Sequence, residues 1–255
     1  MAGDVTASPV AFVATSEAPR AWRTVLDHVE SQLLSGALHP GERLPGERAL
    51  SSELGVGRSS VREALRVLEV LGLIRTQAGS GPNAGAIIIA TPSGGMSALM
   101  RLQVAASGFP VADIVRTRLI LETAVAADLA DASPQPDLTE AIALLDAMDS
   151  PDLDPAEFLA LDAAFHLALA EASRNQVIAA TMAGLRSGIE GYARAGLDRL
   201  DDWHATSDRL RREHRGIVDA IRAADAATAR TRIHDHISGY YAETFIDPAP
   251  NPASR

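Results

Sequence analysis

Residues 40–89 read PGERLPGERALSSELGVGRSSVREALRVLEVLGLIRTQAGSGPNAGAIII, and this stretch decides the fold. Ala49, Leu50 and Leu54 make one apolar stripe at helical spacing. Gly55-Val56-Gly57 is a tight break. Val61, Leu65, Leu68 and Leu71 then repeat with helical spacing up to Gly72, which stands where a C-terminal cap belongs. Two short helices across a three-residue glycine-bearing turn fit a helix-turn-helix. The polar side of the second helix carries Arg58, Ser59, Ser60 and Arg62 in its first turns, placed to meet base edges and phosphates in a major groove. After Gly72, Leu73–Thr76 and Ala86–Ile89 are strand-like, with the turn chemistry of AGSGPNAG between them. Two helices followed by a β-hairpin make a winged helix.

Working outward, residues 1–20 are rich in Ala, Ser, Thr and Pro without a period and read as a disordered arm. A first helix is expected over Trp22–Ser35, with Val25, Val29 and Leu33 inward. Thr91-Pro92-Ser93-Gly94-Gly95 marks a boundary, and everything beyond it reads as helix. The expected segments are Met96–Ser107, Val111–Ala130 opened by Pro110, and Asp137–Met148. Asp154-Pro155-Ala156-Glu157 has the pattern of a capping box and starts the next, to Ala172. Asn175 caps one running to Ala195, and Asp202–Ala223 and Ala226–Phe245 complete the series. The short connections imply antiparallel neighbours. The reading is a mostly α chain: arm 1–20, winged helix-turn-helix 21–91, bundle of six to seven antiparallel helices 92–246, loose tail 247–255.

The chain's 255 residues suffice for two cores. No cysteine is present, which excludes disulfides and thiolate metal sites. No apolar run approaches the ~20 residues of a membrane span, and no signal pattern opens the chain, so a cytoplasmic protein is expected. Net charge is −10, but it is unevenly spread. Residues 21–90 carry seven Arg against seven Asp or Glu, while 91–255 carry 15 Arg against 24 acids. A neutral N-terminal module can still present arginines on one face, where phosphate attraction acts locally.

In the acidic half, Asp162 and His166 stand four apart on one helix and share a face with Phe158, Phe165 and Leu169. His214 and His236 lie on two later helices. One carboxylate and three imidazoles can close most of a metal shell, leaving room for water or ligand. A buried Asp–His pair held by a structural hydrogen bond fits the same residues. His234 competes for the last position, but two residues apart means nearly opposite faces. Arg118 suits a carboxylate ligand by paired hydrogen bonds, or it pairs with Glu122 one turn on. Arg116 and Arg186 are further candidates that periodicity does not decide.

The features SGALHPGERLP, GERALSSELGV and GRSSVREALRVLEVLGLI, with the glycine-rich wing, resemble the GntR superfamily of bacterial transcription regulators from about Val25 to Ile89. That resemblance implies a homodimer on a palindromic DNA operator. By position it implies DNA contacts from Arg48, Arg58, Ser59, Ser60 and Arg62, with Gly79 and Ser80 at the wing tip. The chain has Gly46 and Gly57 where that family often has Ser or Thr, and its wing is longer. The second half, from about 110 to 245, resembles the FadR-like branch with its FCD ligand domain. The matching pieces are RLILE at 118–122, Asp162 with His166, EASRN at 171–175, Glu213-His214, and His236. The resemblance implies that Asp162, His166, His214 and His236 hold a divalent metal, zinc or nickel, beside a small carboxylate. The expected function is a repressor controlled by an organic acid and not an enzyme. The alternatives are a metal-dependent hydrolase using the same Asp/His cluster, against which no clear general base stands in these motifs, and a dimerisation module without ligand.

Overall fold

The computed structural model describes residues 21–77, 85–89, 95–106 and 109–244. The expected arm, the wing tip with Gly79 and Ser80, the segment 91–94 and the tail from 245 lie outside the described residues. The chain divides into two compact units, split between Ala90 and Thr91.

The first unit holds α1 (Ala21–Leu34), α2 (Glu47–Leu54), α3 (Arg58–Val70), β1 (Ile74–Gln77) and β2 (Gly85–Ile88). The strands pair antiparallel, Ile74 opposite Ile88. The segment leading into α2 lies along the free edge of β2, where Leu44 N–H donates to Ala86 O at 2.9 Å and Ile88 N–H to Glu42 O at 2.9 Å. That edge pairing was not read from the sequence. Gly55 takes φ 65°, the left-handed conformation that ends α2 and turns the chain toward α3. Val25, Leu50, Val61 and Ala64 form one buried cluster, and Val29, Leu44, Leu68, Ile74, Ala86 and Ile88 another. Two details of the expected stripes are corrected. Ala49 is exposed, since it sits a quarter turn from Leu50, and the inward position on α3 is Ala64 rather than Leu71. Leu71 is the C-cap of α3, 38% exposed.

The second unit holds α4 (Gly95–Ala105), α5 (Val111–Asp131), α6 (Thr139–Met148), α7 (Pro155–Ala172), α8 (Gln176–Ala195), a 3-10 turn, α9 (Trp203–Arg222) and α10 (Ala226–Thr244). The starts follow local chemistry. Asp154 and Glu157 form the capping box of α7, Asn175 Oδ1 accepts from Val177 and Ile178, and Asp202 Oδ1 accepts from Ala205. α10 packs along α5 and α9, and α7 along α6 and α8. Half of α7 is buried, including Phe158, Leu159, Phe165 and Leu169, so any polar group on its inner faces needs a partner. α4 lies directly on α8: a Cβ at Gly184 would stand 2.6 Å from Met100 Cβ, and one at Gly188 2.7 Å from Val104 Cγ1. No described helix is long and apolar enough to cross a membrane.

The α9–α10 turn stores strain. Ala224 has φ 57°, with Ala224 N–H on Ile221 O and Asp225 N–H on Ala220 O. This is the pattern that ordinarily places glycine at the left-handed position. Ala224→Gly is expected to stabilise the protein by roughly 1 kcal/mol, because the left-handed cost to an L side chain exceeds the added chain entropy. Urea unfolding checks it; an unchanged or lower midpoint contradicts the strain.

Candidate metal centre and nucleic-acid interface

Three helices of the helical unit aim four polar side chains at one interior point. α7 supplies Asp162 and His166, α9 His214 and α10 His236, all buried. The Nε2 atoms of His166 and His236 stand 3.1 Å apart, as do those of His214 and His236. Asp162 Oδ1 lies 3.0 Å from His214 Nε2 and 3.7 Å from His236 Nε2, and Asp162 Oδ2 3.8 Å from His166 Nε2. Ligands on ~2.1 Å bonds to one ion stand about 3.0–3.4 Å from their neighbours, a range that holds three of these five spacings; the two longer ones both involve Asp162. Between the two candidates on α10, burial decides: His236 faces the cluster, while His234 is exposed and bonded to Asp235.

The outer nitrogens show which way the rings are protonated. His236 Nδ1 meets Glu213 Oε2 at 2.9 Å, and His166 Nδ1 faces Glu122 Oε2. An ionised carboxylate only accepts, so both Nδ1 atoms carry hydrogen, and a neutral ring then turns the lone pair of its Nε2 into the cluster. Two lone pairs 3.1 Å apart repel unless a cation lies between them. The donor set therefore fits a divalent ion, with Glu122 and Glu213 as the carboxylates that orient its imidazoles. Neither carboxylate's role was read from the sequence. Helical spacing points Glu122 at Arg118, and Glu213 stands in the sequence simply beside His214. His214 Nδ1 has no hydrogen-bond partner among the described residues; its ring is held against Phe165, centroids 4.8 Å apart.

Electrostatics keep the carboxylates ionised and favour the neutral forms of His214 and His236. Burial would raise Asp162, but the hydrogen bond from His214 and the adjacent imidazoles outweigh it and hold it well below the usual carboxylate range. For Glu122, burial is likewise outweighed, first by the Arg118 charge and then by His166, leaving it at about 2. Burial pushes His214 down against Asp162, and pushes His236 down to about 4, helped by His214.

Arg118 adjoins the cluster. It is 5% exposed, and burial, which lowers it, is outweighed by Glu122, so it stays charged. Its Nε donates to Glu122 Oε1 at 2.7 Å and its Nη1 to the Tyr192 hydroxyl, while Nη2 has no partner among the described residues. The pairing with Glu122 is present, and one donor of the guanidinium has no partner among the described residues. A cavity of about 20 Å³ lies between Arg118, Asp162, Tyr192, His236 and Tyr240, space for about one water. Arg116 is exposed, and Arg186 pairs with Glu190 at 2.8 Å; neither lines this cavity.

In the first unit, Arg48, Arg58, Ser59 and Arg62 are exposed and Ser60 is half-buried. Arg62 Nε meets Glu47 Oε2 at 2.8 Å, an exposed pair that costs little to break. Gly57 caps α3 without a side-chain acceptor, which leaves the first-turn N–H groups open toward an anion.

Comparison with known proteins agrees with both halves. The model described as "Bacterial regulatory proteins, gntR family" matches residues 22–82, and that of the FCD domain residues 113–239. The HTH-type transcriptional regulator LutR of Bacillus subtilis (strain 168) is 30% identical over 217 residues, 82% of this chain and 97% of LutR. A putative L-lactate dehydrogenase operon regulatory protein of Escherichia coli (strain K12) is 29% identical over 214 residues, 84% of this chain and 82% of that one. Among solved structures, Streptococcus agalactiae GntR shares the fold, with a TM-score of 0.59 and 24% identity over 88% of this chain and all of its own. These families and relatives are transcription regulators, a non-enzymatic class, and the hydrolase alternative finds no support among them.

The buried histidines make metal-free protein acid-sensitive. Unfolded, His236 takes up its proton near pH 6.5; folded, it does so near pH 4. Between these values the unfolded state binds more protons, so stability falls as pH drops. His236 alone accounts for about 2 kcal/mol at pH 5. The depressed Asp162 and Glu122 add stability present above pH ~4 and lost only below it. Melting of chelator-treated protein from pH 7.5 to 5 should show the decline, and His236→Gln should flatten it. A melting temperature constant over that range contradicts a neutral, buried His236.

Proposed function

The chain belongs to the GntR family of bacterial regulatory proteins and carries an FCD domain, and from that premise we propose that this transcription regulator is a cytoplasmic homodimer whose hold on a palindromic operator is set by a small carboxylate bound beside a divalent metal. The observation that carries the reading is the charge balance of the buried cluster. One buried guanidinium, Arg118, and two buried carboxylates, Glu122 and Asp162, leave one negative charge in excess beside the imidazoles. A divalent cation turns that excess into one positive charge, and a monocarboxylate on the open Nη2 of Arg118 cancels it. Asp162, His166, His214 and His236 would hold the ion. Imidazole and carboxylate donors suit zinc or nickel. When bound, the metal supplies positive charge against which an acid can dock.

The acid has to make its own room. A cavity of about 20 Å³ cannot take one without moving Tyr192 or Tyr240. Tyr192 stands on α8, one turn past the glycines on which α4 rests, and α4 is the first helix after the winged unit in the chain. A shift of α8 is therefore felt by α4, and the acid favours whichever placement of the winged units it binds better. Arg48, Arg58, Ser59, Ser60 and Arg62 contact the operator in this reading, with α3 entering the major groove N-terminus first and the wing, with Gly79 and Ser80, on the minor groove. Repression released by the acid needs only occupancy of the promoter, whereas activation needs a further contact with the transcription machinery. The operon named for one relative makes L-lactate the first acid to try.

One experiment tests the whole reading: anisotropy of labelled DNA from upstream of the protein's own gene, with zinc-loaded full-length protein. Wild type should bind at low salt and lose at least about fivefold in affinity with L-lactate or a related short acid. Arg58→Ala should cost about 1–3 kcal/mol in specific binding while leaving the melting temperature unchanged. Protein that ignores promoter DNA with or without these acids contradicts the reading.

A further inference from the structure

One side chain touches both proposed binding sites. The two oxygens of Glu122 are divided: Oε1 accepts from Arg118 Nε, and Oε2 faces His166 Nδ1. The three side chains are 3%, 6% and 0% exposed, so water does not screen the contact. Neither Glu122 Oε2 nor His166 Nδ1 has any other partner among the described residues. Arg118 and Glu122 lie one turn apart on α5, and His166 approaches from α7. Glu122 thus stands between the guanidinium that looks onto the cavity and an imidazole whose far nitrogen looks into the Asp/His cluster.

Only an ionised carboxylate serves this position. It accepts from Arg118 and from His166 Nδ1–H together, which keeps His166 Nε2 free of hydrogen. A neutral amide has one acceptor. If its oxygen turns to Arg118, its NH₂ faces His166 and drives the ring proton onto Nε2. If its oxygen turns to His166, its NH₂ faces the guanidinium.

We propose that Glu122 is a positioning residue that links the two occupants, so that a divalent cation on His166 strengthens carboxylate binding at Arg118 and the carboxylate tightens the cation by the same factor. A cation on Nε2 withdraws electron density from the ring and makes Nδ1–H a stronger donor. Glu122 is then drawn toward His166, and Arg118 is less neutralised and holds an external carboxylate more tightly. Equal effects in both directions follow from linkage. The inference rests on the reading above, that the cluster takes a cation and Arg118 an acid.

The test is the zinc dissociation constant of full-length wild type and Glu122→Gln, by competition with a chromophoric chelator, in acetate and in chloride at equal ionic strength. Wild type should bind zinc at least about fivefold tighter in acetate. Glu122→Gln should bind zinc about tenfold more weakly or worse, with no acetate effect. Long-range ¹H–¹⁵N spectra of zinc-free, ¹⁵N-histidine-labelled protein give a second readout that also reports whether the variant is folded. His166 should carry its hydrogen on Nδ1 in wild type and on Nε2 in the variant. A folded variant that keeps the acetate effect, or keeps hydrogen on Nδ1, overturns the link and leaves the two-site reading standing. Wild type that binds zinc equally in both salts overturns the link as well, and wild type that binds no zinc overturns both.

Discussion

Three imidazole nitrogens and a carboxylate converge inside an apolar helical bundle, and that convergence is the constraint on which the second unit is built. Such groups do not leave water without compensation. Each is met from behind: Glu122 behind His166, Glu213 behind His236, Phe165 against His214. Those backing residues come from α5, α9 and α7, so the cluster fixes how these helices stand around α10. Packing at native density holds the arrangement and gathers three imidazole nitrogens and a carboxylate oxygen into a donor set that suits a cation.

The first unit works by a different economy. Its core is small, two clusters of four and six buried residues, and its edge is closed by backbone pairing to the segment before α2. It spends few polar groups internally. Arg48 and Arg58 stand exposed, and Arg62 has only a solvent-exposed partner. A module with balanced charge and outward arginines gains affinity from matched contacts more than from general attraction to phosphate.

Much of this was legible in the sequence because it is local. Caps at Asp154, Asn175 and Asp202 act within three residues, and Asp162 with His166 follows from helical spacing alone. The glycines bounding α2 and α3 announced the helix-turn-helix. What stayed hidden depends on distant pairs. Tyr192 meets Arg118 across 74 positions, and nothing in the spacing says that Glu122 would turn its second oxygen to a histidine on α7. Ala49 shows the opposite failure, since an alanine is apolar enough to join a stripe and small enough to be left outside it. The family resemblance singled out His236 over His234, and the rotation of α10 that buries the first and exposes the second is visible only in the structure.

The central claim is that the buried cluster is a cation site rather than a set of structural hydrogen bonds. Elemental analysis of protein purified without chelator tests it most directly, beside His214→Ala prepared in the same way. The account predicts about one zinc or nickel per wild-type chain, held through gel filtration, and a clear loss in the variant, since three protein ligands replace four. Folded wild type that emerges free of transition metal, and takes up none on incubation with zinc, would contradict it.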